Sequence, residues 1–466
     1  METHLNVDKD QMEKLITTCD EAFKKFRHVS RSTRSRLLLK MAEGIELRRA
    51  DLVKAIVNEA GKPVTLADTE VTRAISTFTI ASEEAKRYSG DLVPLDIEPY
   101  GRAYSSMTSA AVSYFVPRGP VLAIAPFNFP LNLVAHKVAP SLAIGATVML
   151  KPPPQAPGAS HILAEIFEVA RVQVSDAQDQ IPKEAFQVFT AANEVTAIAV
   201  KDVRLTILSF TGSNTVGWML QSQAIRKKVS LELGGNASVI VHKDADLERA
   251  VQRTVWGSFA YAGQICISIQ HVFVHKEIAS KFQEKFVAET KNISFGDPWK
   301  KETLVGPIID DRSFKRILDW INQATKSGAQ LLAGGKSVDE VNGFTHSRLI
   351  EPTILKNVPK NLPISCDEAF GPIVILHEYD DFAKVIEEIN SSKFGLQAGV
   401  FTDSSRLQQM AAQELEVGGV IFNDIPTYRA DNMPYGGVKE SGLGREGIRF
   451  TMEDFSERKT IVTWQG

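Results

Sequence analysis

The chain has 466 residues, 44% hydrophobic and 23% charged, and a net charge of −3 from 53 basic and 56 acidic side chains. That length exceeds what one hydrophobic core serves, since cores split beyond ~250–300 residues, and the composition excludes disorder, collagen and a disulfide-framed mini-domain. Without a basic excess or basic stripe, neither a nucleic acid nor an anionic membrane held by bulk charge is an expected partner. The start METHLNVDKD has no basic region feeding an apolar one, so no secretory leader is expected. The uncharged stretches 205–225 and 254–275 are broken throughout by serine, glutamine and glycine, unlike a membrane span. Three cysteines, Cys19, Cys266 and Cys366, make an odd count in a long chain and point to a reducing compartment, the cytoplasm.

In chain order, Met12, Leu15, Ile16, Cys19, Ala22, Phe23 and Phe26 recur at helical spacing and form one apolar stripe. Cys19 sits within it and reads as a small buried hydrophobe. A second helix is expected over 32–60, stopped by Gly61-Lys62-Pro63, and a third over 66–88. After Gly90 the texture changes, and 104–116 predicts a strand or hairpin leaving the first domain. Short apolar strands at 121–125, 147–150, 186–190, 205–209 and 238–242 then alternate with helices at 161–172 and 215–225, the texture of a doubly wound parallel sheet. Strands at 271–275, 373–377, 399–402 and 420–423, with helices at 245–262, 278–290, 312–327 and 381–391, repeat it. Two α/β units follow.

Candidate chemistry begins at Cys266, in Tyr261-Ala-Gly-Gln-Ile-Cys-Ile-Ser268. The helix before it, opened by Asp244 or Asp246, should end at Gly263 and leave Cys266 on a turn. It is a nucleophile or a buried core cysteine on that ground alone. Glu232, in Val229-Ser-Leu-Glu-Leu-Gly-Gly-Asn236, is a carboxylate between two leucines. Burial there would raise its pKa, as a general base near neutrality requires, unless Lys227 or Lys228 pairs with it. Asn128, in Pro126-Phe-Asn-Phe-Pro130 directly after a strand, can aim N–H donors at an oxyanion or simply cap the next helix. Phe210-Thr-Gly-Ser213, with Gly212 and Gly217 five residues apart, forms a glycine turn opening a helix, a phosphate cradle that lacks the GxGxxG fingerprint. Lys151, at a strand end before Pro152-Pro-Pro154, is either a fixed ammonium for a ribose or phosphate or a solvated surface lysine.

Taken together, the order PFNFP, FTGS, ELGG, GQxC, EAFGP, PYGGxKxSGxGRE resembles the aldehyde dehydrogenase superfamily over almost the whole chain, with 34 positions from Glu232 to Cys266 in keeping with the family spacing. The resemblance implies a Rossmann-like cofactor domain (1–103 and 118–232), an α/β catalytic domain (233–448) and a small β oligomerisation arm (104–117 and 449–466). The arm's tail, 459–464, suits a strand added to a neighbour's sheet, so a homodimer or homotetramer is expected. It further implies NAD or NADP as cofactor and a small aldehyde as substrate. Cys266 would be the nucleophile, Asn128 and the Cys266 N–H the oxyanion donors, and Glu232 the base that activates water against the thioester. Lys151, Gly212, Ser213, Gly217, Glu368 and Phe370 would hold the dinucleotide.

Two departures bear on specificity. Where NAD-preferring members often carry a glutamate three positions after the lysine, this chain has Pro154, so a 2′-phosphate meets no repulsion and NADP should be accepted. Ile265 precedes the cysteine where some relatives use arginine. Yet Thr427-Tyr-Arg-Ala-Asp-Asn-Met433 and His136, in Asn132-Leu-Val-Ala-His-Lys137, resemble the branch handling lactaldehyde and phosphonoacetaldehyde. A short, hydroxylated or anionic aldehyde is expected, with Arg429 either a contact or a surface ion-pair residue, and His136 a contact or a packed core histidine. The rival readings are a CoA-acylating dehydrogenase, which Glu232 disfavours, and a non-catalytic nicotinamide-binding relative, which has no reason to keep Cys266, Glu232 and Asn128 together. No metal is expected. His271 and His275 form an HxxxH pair, but on a strand four residues span roughly 13 Å, too far for one ion.

Overall fold

The computed structural model describes residues 6–95 and 110–463. Four helices open the chain, Lys9–Phe26, Arg31–Leu47, Arg49–Ala60 and Val64–Arg87. The Asp8 side chain accepts the Gln11 N–H, a capping box at the first helix start. The helix expected over 32–60 is two, because Arg48 leaves helical geometry at φ −99 and ψ 17. The apolar period runs on through that break, so periodicity alone does not register it.

The first sheet runs, edge to edge, Gly442–Leu443, Lys228–Glu232, Ile207–Thr211, Val121–Ile124, Val148–Lys151, Phe186–Val188, with only the Gly442–Leu443 edge antiparallel. From Val121–Ile124 the chain first builds outward through Val148–Lys151 to Phe186–Val188, then crosses back to Ile207–Thr211 on the other side. That reversal is a topological switch point, and the crevice beyond the strand ends there is where doubly wound sheets take ligands. Residues 125–130 and 212–213 follow the two strands flanking it. The helix Asn132–Ile144 has no apolar stripe to read because all of its residues are buried. Lys228–Glu232 escapes a sequence reading because its ends are charged although its last four residues are buried.

The second sheet orders as Gln330–Ala333, Thr353–Lys356, Ile373–Tyr379, Ile269–His275, Ala237–Val241, Gln397–Phe401, Gly419–Phe422, parallel except for its first edge. A third, antiparallel sheet joins Asp91–Pro94, Ala110–Pro117 and Ser456–Ile461. Of the expected arm, 104–109 and 464–466 lie outside the described residues. The tail strand pairs with its own chain, Val112 opposite Ile461 through Pro117 opposite Ser456, and its other edge takes no strand among the described residues. The C-terminal region also returns to the first unit. Gly442–Leu443 extends that unit's sheet, and Ile448, Met452 and Phe455 share a core with Leu37, Phe78 and Leu142. Residues 442–455 thus pack with the unit that the expected boundaries ended at 232. No helix among the described residues is long and apolar enough to cross a membrane.

Candidate active site

Asp246 caps the helix Leu247–Phe259 by accepting the Arg249 N–H. The helix then gives way to the turn Ala260–Gly263, where Tyr261 (φ 53) and Ala262 (φ 56) take left-handed conformations. Such conformations cost on the order of 1 kcal/mol or more each and persist only where the surroundings enforce them. Here Tyr261 is fully buried and its hydroxyl donates to the Ala60 carbonyl at 2.9 Å. Gly263 continues at φ 66, and a Cβ there would lie 2.1 Å from the Gly371 oxygen, so only glycine fits. The chain therefore reaches Cys266 on a turn, unlike Cys19, which is wholly buried on a helix stripe.

Gln264 fastens that turn. Its Oε1 accepts the Ile309 N–H at 3.0 Å, and its backbone carbonyl accepts from Asn128 Nδ2 at 3.1 Å. One Nδ2 hydrogen remains uncommitted, and Asn128 Oδ1 is buried without a partner. Asn128 does not cap the next helix. Glu70 does, its Oε1 accepting the N–H groups of Leu131 at 2.9 Å and Asn132 at 3.1 Å. The other Glu70 oxygen pairs with Lys62, whose ammonium sits 3.5 Å from the Phe129 ring centroid and 4.8 Å from that of Tyr261. Burial pulls Lys62 down to about 8 against the Glu70 carboxylate.

Glu232 closes its strand at 3% exposure, and neither carboxylate oxygen has a hydrogen-bond partner. Lys227 donates instead to the carbonyls of Asp202 and Leu205, and Lys228 pairs with Asp454 at 3.0 Å. Burial, followed by the charge of Glu446, pushes Glu232 well above the ordinary carboxylate range. Glu446 behaves oppositely. Against burial, Lys137 at 3.0 Å and Arg429 at 3.1 Å hold it down to about 2. Arg429 stacks 3.9 Å from the Tyr435 ring centroid, and its Nε is buried without a partner. The Tyr435 hydroxyl lies 2.9 Å from Cys266 Sγ. Burial raises the Cys266 thiol to about 11, with Tyr435 and Arg429 opposing and Glu368 and Glu232 adding to the rise.

The switch-point crevice holds the remaining candidates. The Gly212 N–H donates to the Glu232 carbonyl at 3.1 Å. Ser213 stands at the N-cap of the helix Asn214–Gln223, exposed and without a side-chain cap bond, so the helix start keeps free N–H groups. Gly217 packs so closely that a Cβ would lie 2.4 Å from Leu233 Cδ2. Lys151 ends its strand at 9% exposure and faces no carboxylate, burial alone lowering its pKa. Across the crevice the Gly235 N–H donates to Glu368 Oε1 at 3.1 Å, and a Cβ on Gly234 would come within 2.2 Å of Oε2. Burial lifts Glu368 to about 7 against that N–H and Arg316. Phe370, at φ 45, meets Phe127 edge-on at 5.9 Å. An idle ammonium, an uncapped helix start and a carboxylate on a glycine turn suit a dinucleotide's ribose and phosphate groups.

The model of the aldehyde dehydrogenase family matches residues 2–461. The chain belongs to that family. A 3-sulfolactaldehyde dehydrogenase of Priestia aryabhattai is 38% identical over 97% of this chain and 90% of its own length. Aldehyde dehydrogenase 21 of Physcomitrella patens, solved with its reaction product succinate, superposes with a TM-score of 0.92 at 36% identity, covering 98% of this chain and 91% of that one. A glyceraldehyde-3-phosphate dehydrogenase of Methanocaldococcus jannaschii, complexed with NADP, gives 0.91 at 35% identity, covering 99% and 95%.

Around the candidate residues of this aldehyde dehydrogenase stand four that motif reading did not single out: Tyr435 at the Cys266 sulfur, Glu446 and Lys137 near Glu232, and Arg316 near Glu368. Tyr435 and Glu446 lie inside the PYGGxKxSGxGRE run, and Lys137 directly follows His136, so the signal was present but carried no role. Arg429 is not a surface residue, because its ion pair with Glu446 is buried at 7% and 2% side-chain exposure. His136 is fully buried, with Nε2 3.0 Å from Asp431 Oδ1, and burial followed by the Arg429 charge lowers its pKa. Arg73 grips the same carboxylate at 2.7 and 3.3 Å. His271 and His275 share the strand Ile269–His275, and the His271 Nδ1 partner is His377 at 3.0 Å. Cys366 is exposed, its Sγ 3.2 Å from the Leu362 carbonyl.

Proposed function

We propose that this chain oxidises a short, hydroxylated or anionic aldehyde to its carboxylic acid with NAD or NADP, through covalent chemistry at Cys266. The Cys266 sulfur attacks the aldehyde carbon to give a thiohemiacetal, whose oxyanion takes the uncommitted Asn128 Nδ2 hydrogen and the Cys266 backbone N–H. The bound nicotinamide supplies the hydride acceptor, and Lys151, Gly212, Ser213, Gly217, Glu368 and Phe370 would hold the dinucleotide. Glu232 then takes a proton from the water that attacks the Cys266 thioester, releasing acid and thiol. One observation carries this reading: a buried carboxylate with both oxygens unpartnered, its pKa raised by burial, near enough to a free cysteine for its charge to raise that thiol. A CoA-acylating enzyme has no use for that base.

The substrate class rests on charge. Lys137 and Arg429 share the single carboxylate of Glu446, so two cations meet one anion there. Arg429 Nε is the free donor there. Among the relatives' named compounds, sulfolactaldehyde, succinate and glyceraldehyde-3-phosphate are anionic, while lactaldehyde is hydroxylated and uncharged. Pro154 supplies no carboxylate to repel a 2′-phosphate, which supports NADP use. The edge of Ser456–Ile461 that takes no strand among the described residues supports assembly through the arm into a dimer or tetramer.

The test is a panel of short aldehydes assayed with NAD and NADP in parallel and without CoA, with Cys266→Ala alongside. Acid formation lost in that variant is the expected result, and acid formed only when CoA is added overturns it. Catalytic efficiency with NAD on the order of a hundredfold above NADP, about 2.7 kcal/mol, would sink the reading that NADP is accepted.

A further inference from the structure

The hydroxyl that meets the Cys266 sulfur belongs to Tyr435, which the reaction above does not use. The ring is held from two sides. Arg429 lies on its face at 3.9 Å, and its backbone exchanges hydrogen bonds of 2.9 and 2.7 Å with Glu446, the residue that also anchors Arg429 at 3.1 Å. Burial and then the neighbouring cysteine push the phenol well above its ordinary pKa, so the hydroxyl keeps its proton at neutral pH.

Ionisation decides the direction of the bond at 2.9 Å. With a neutral thiol either group can donate. Once the thiolate forms, sulfur offers only lone pairs, and the Tyr435 O–H is the donor. Hydrogen bonds to a charged acceptor are stronger than neutral ones, so this contact tightens as the proton leaves and favours the nucleophilic form. The Arg429 charge on the ring makes the O–H a better donor. In a neutral C–S bond sulfur is a weak acceptor, so the contact works when sulfur attacks and again when it leaves the hydrolysed thioester.

The geometry points to Tyr435 as a further catalytic residue, whose O–H, clamped by Arg429 and Glu446, donates to the Cys266 sulfur and stabilises the attacking thiolate. This rests on Cys266 being the nucleophile. The charged groups facing that sulfur are Arg429, which favours the thiolate, and Glu368 and Glu232, which oppose it. All three remain in Tyr435→Phe, as does the ring under Arg429.

Alkylation of Cys266 by iodoacetamide, followed by peptide mass mapping from pH 6 to 11, reads the thiol directly. In Tyr435→Phe the thiolate fraction should drop, slowing alkylation roughly tenfold at every pH well below the parent midpoint of about 11, a rise of about one unit. Aldehyde kcat/KM should fall about as much. Superimposable alkylation profiles would overturn the proposal. Should the phenylalanine variant not fold, 3-fluorotyrosine at 435, a more acidic donor, is expected to lower the midpoint, and an unmoved midpoint rejects the role. Cys266→Ala separates the two readings. Turnover surviving in it removes the nucleophile itself, whereas loss there with unchanged Tyr435→Phe alkylation removes only the role of Tyr435.

Discussion

Two buried ionic clusters stand in this fold and behave differently. Around Lys62 and Glu70, one cation meets one anion, and both carboxylate oxygens are used, by the ammonium and by two backbone N–H groups. Around Glu446, two cations share one carboxylate while Glu232, Asn128 Oδ1 and Arg429 Nε have no partner at all. The first cluster is closed. It pins the helix carrying Lys137 and packs under Phe129, beside the loop carrying Asn128. The second is open, and since buried polar atoms in folded proteins are nearly always satisfied, its idle atoms mark where a reacting molecule belongs.

That contrast can be broken by experiment. Glu232→Gln should lower kcat by roughly a hundred- to ten-thousand-fold, with a burst of reduced nicotinamide as acyl-enzyme accumulates, and with no loss of folding stability. A variant that both turns over normally and unfolds early would make Glu232 a scaffold residue. Glu70→Ala should do the reverse in denaturant unfolding. Leaving Lys62 buried without its anion should cost about 3–5 kcal/mol, and a loss under ~1 kcal/mol would show the closed cluster to be dispensable.

The pH dependence of stability sharpens the comparison, because the two glutamates shift in opposite directions. Glu446 is depressed, so its contribution is fully present above the ordinary value of 4.5 and is lost as pH falls through about 2. Glu446→Gln should therefore cost most above pH 4.5 and progressively less in acid. Glu232 is raised, so its contribution is full below 4.5 and is lost as pH rises through its folded pKa. Glu232→Gln should gain on the parent protein from pH 5 to pH 8 in thermal unfolding, and parallel curves would contradict the buried, unpaired carboxylate. The smallest effect belongs to Arg73→Ala. Its ion pair with Asp431 keeps 24% of the arginine side chain exposed, and water there should limit the loss to about 1 kcal/mol or less in the same unfolding measurement.

The closed cluster was nearly invisible in the sequence. Lys62 reads as a helix-stop residue in Gly61-Lys62-Pro63, and Glu70 as one more charge on a helix. Nothing local says that a lysine is fully buried against Phe129 and Tyr261, because its partners come from segments about 65 and 200 residues away. The open cluster was half legible. Glu232 between leucines announces a costly carboxylate, and Cys266 beyond a glycine announces a turn. Arg429 read equally as substrate contact or surface pair, since burial is a property of what packs over a residue.

By itself the sequence determined the alternation of strands and helices, the α/β class, the family, and the stretches that carry Cys266, Glu232 and Asn128. Those follow from short-range periodicity and from motifs whose chemistry needs particular side chains at particular spacings. Tertiary structure alone decided the rest. It broke the second helix at Arg48, returned residues 442–455 to the first unit, and set Tyr435 against Cys266 across 169 positions of chain. It also gave Glu232 and Glu446 opposite pKa shifts, although both are glutamates buried in one pocket. A pKa follows from desolvation and from the charges within a few ångströms, and those neighbours exist only once the chain has folded.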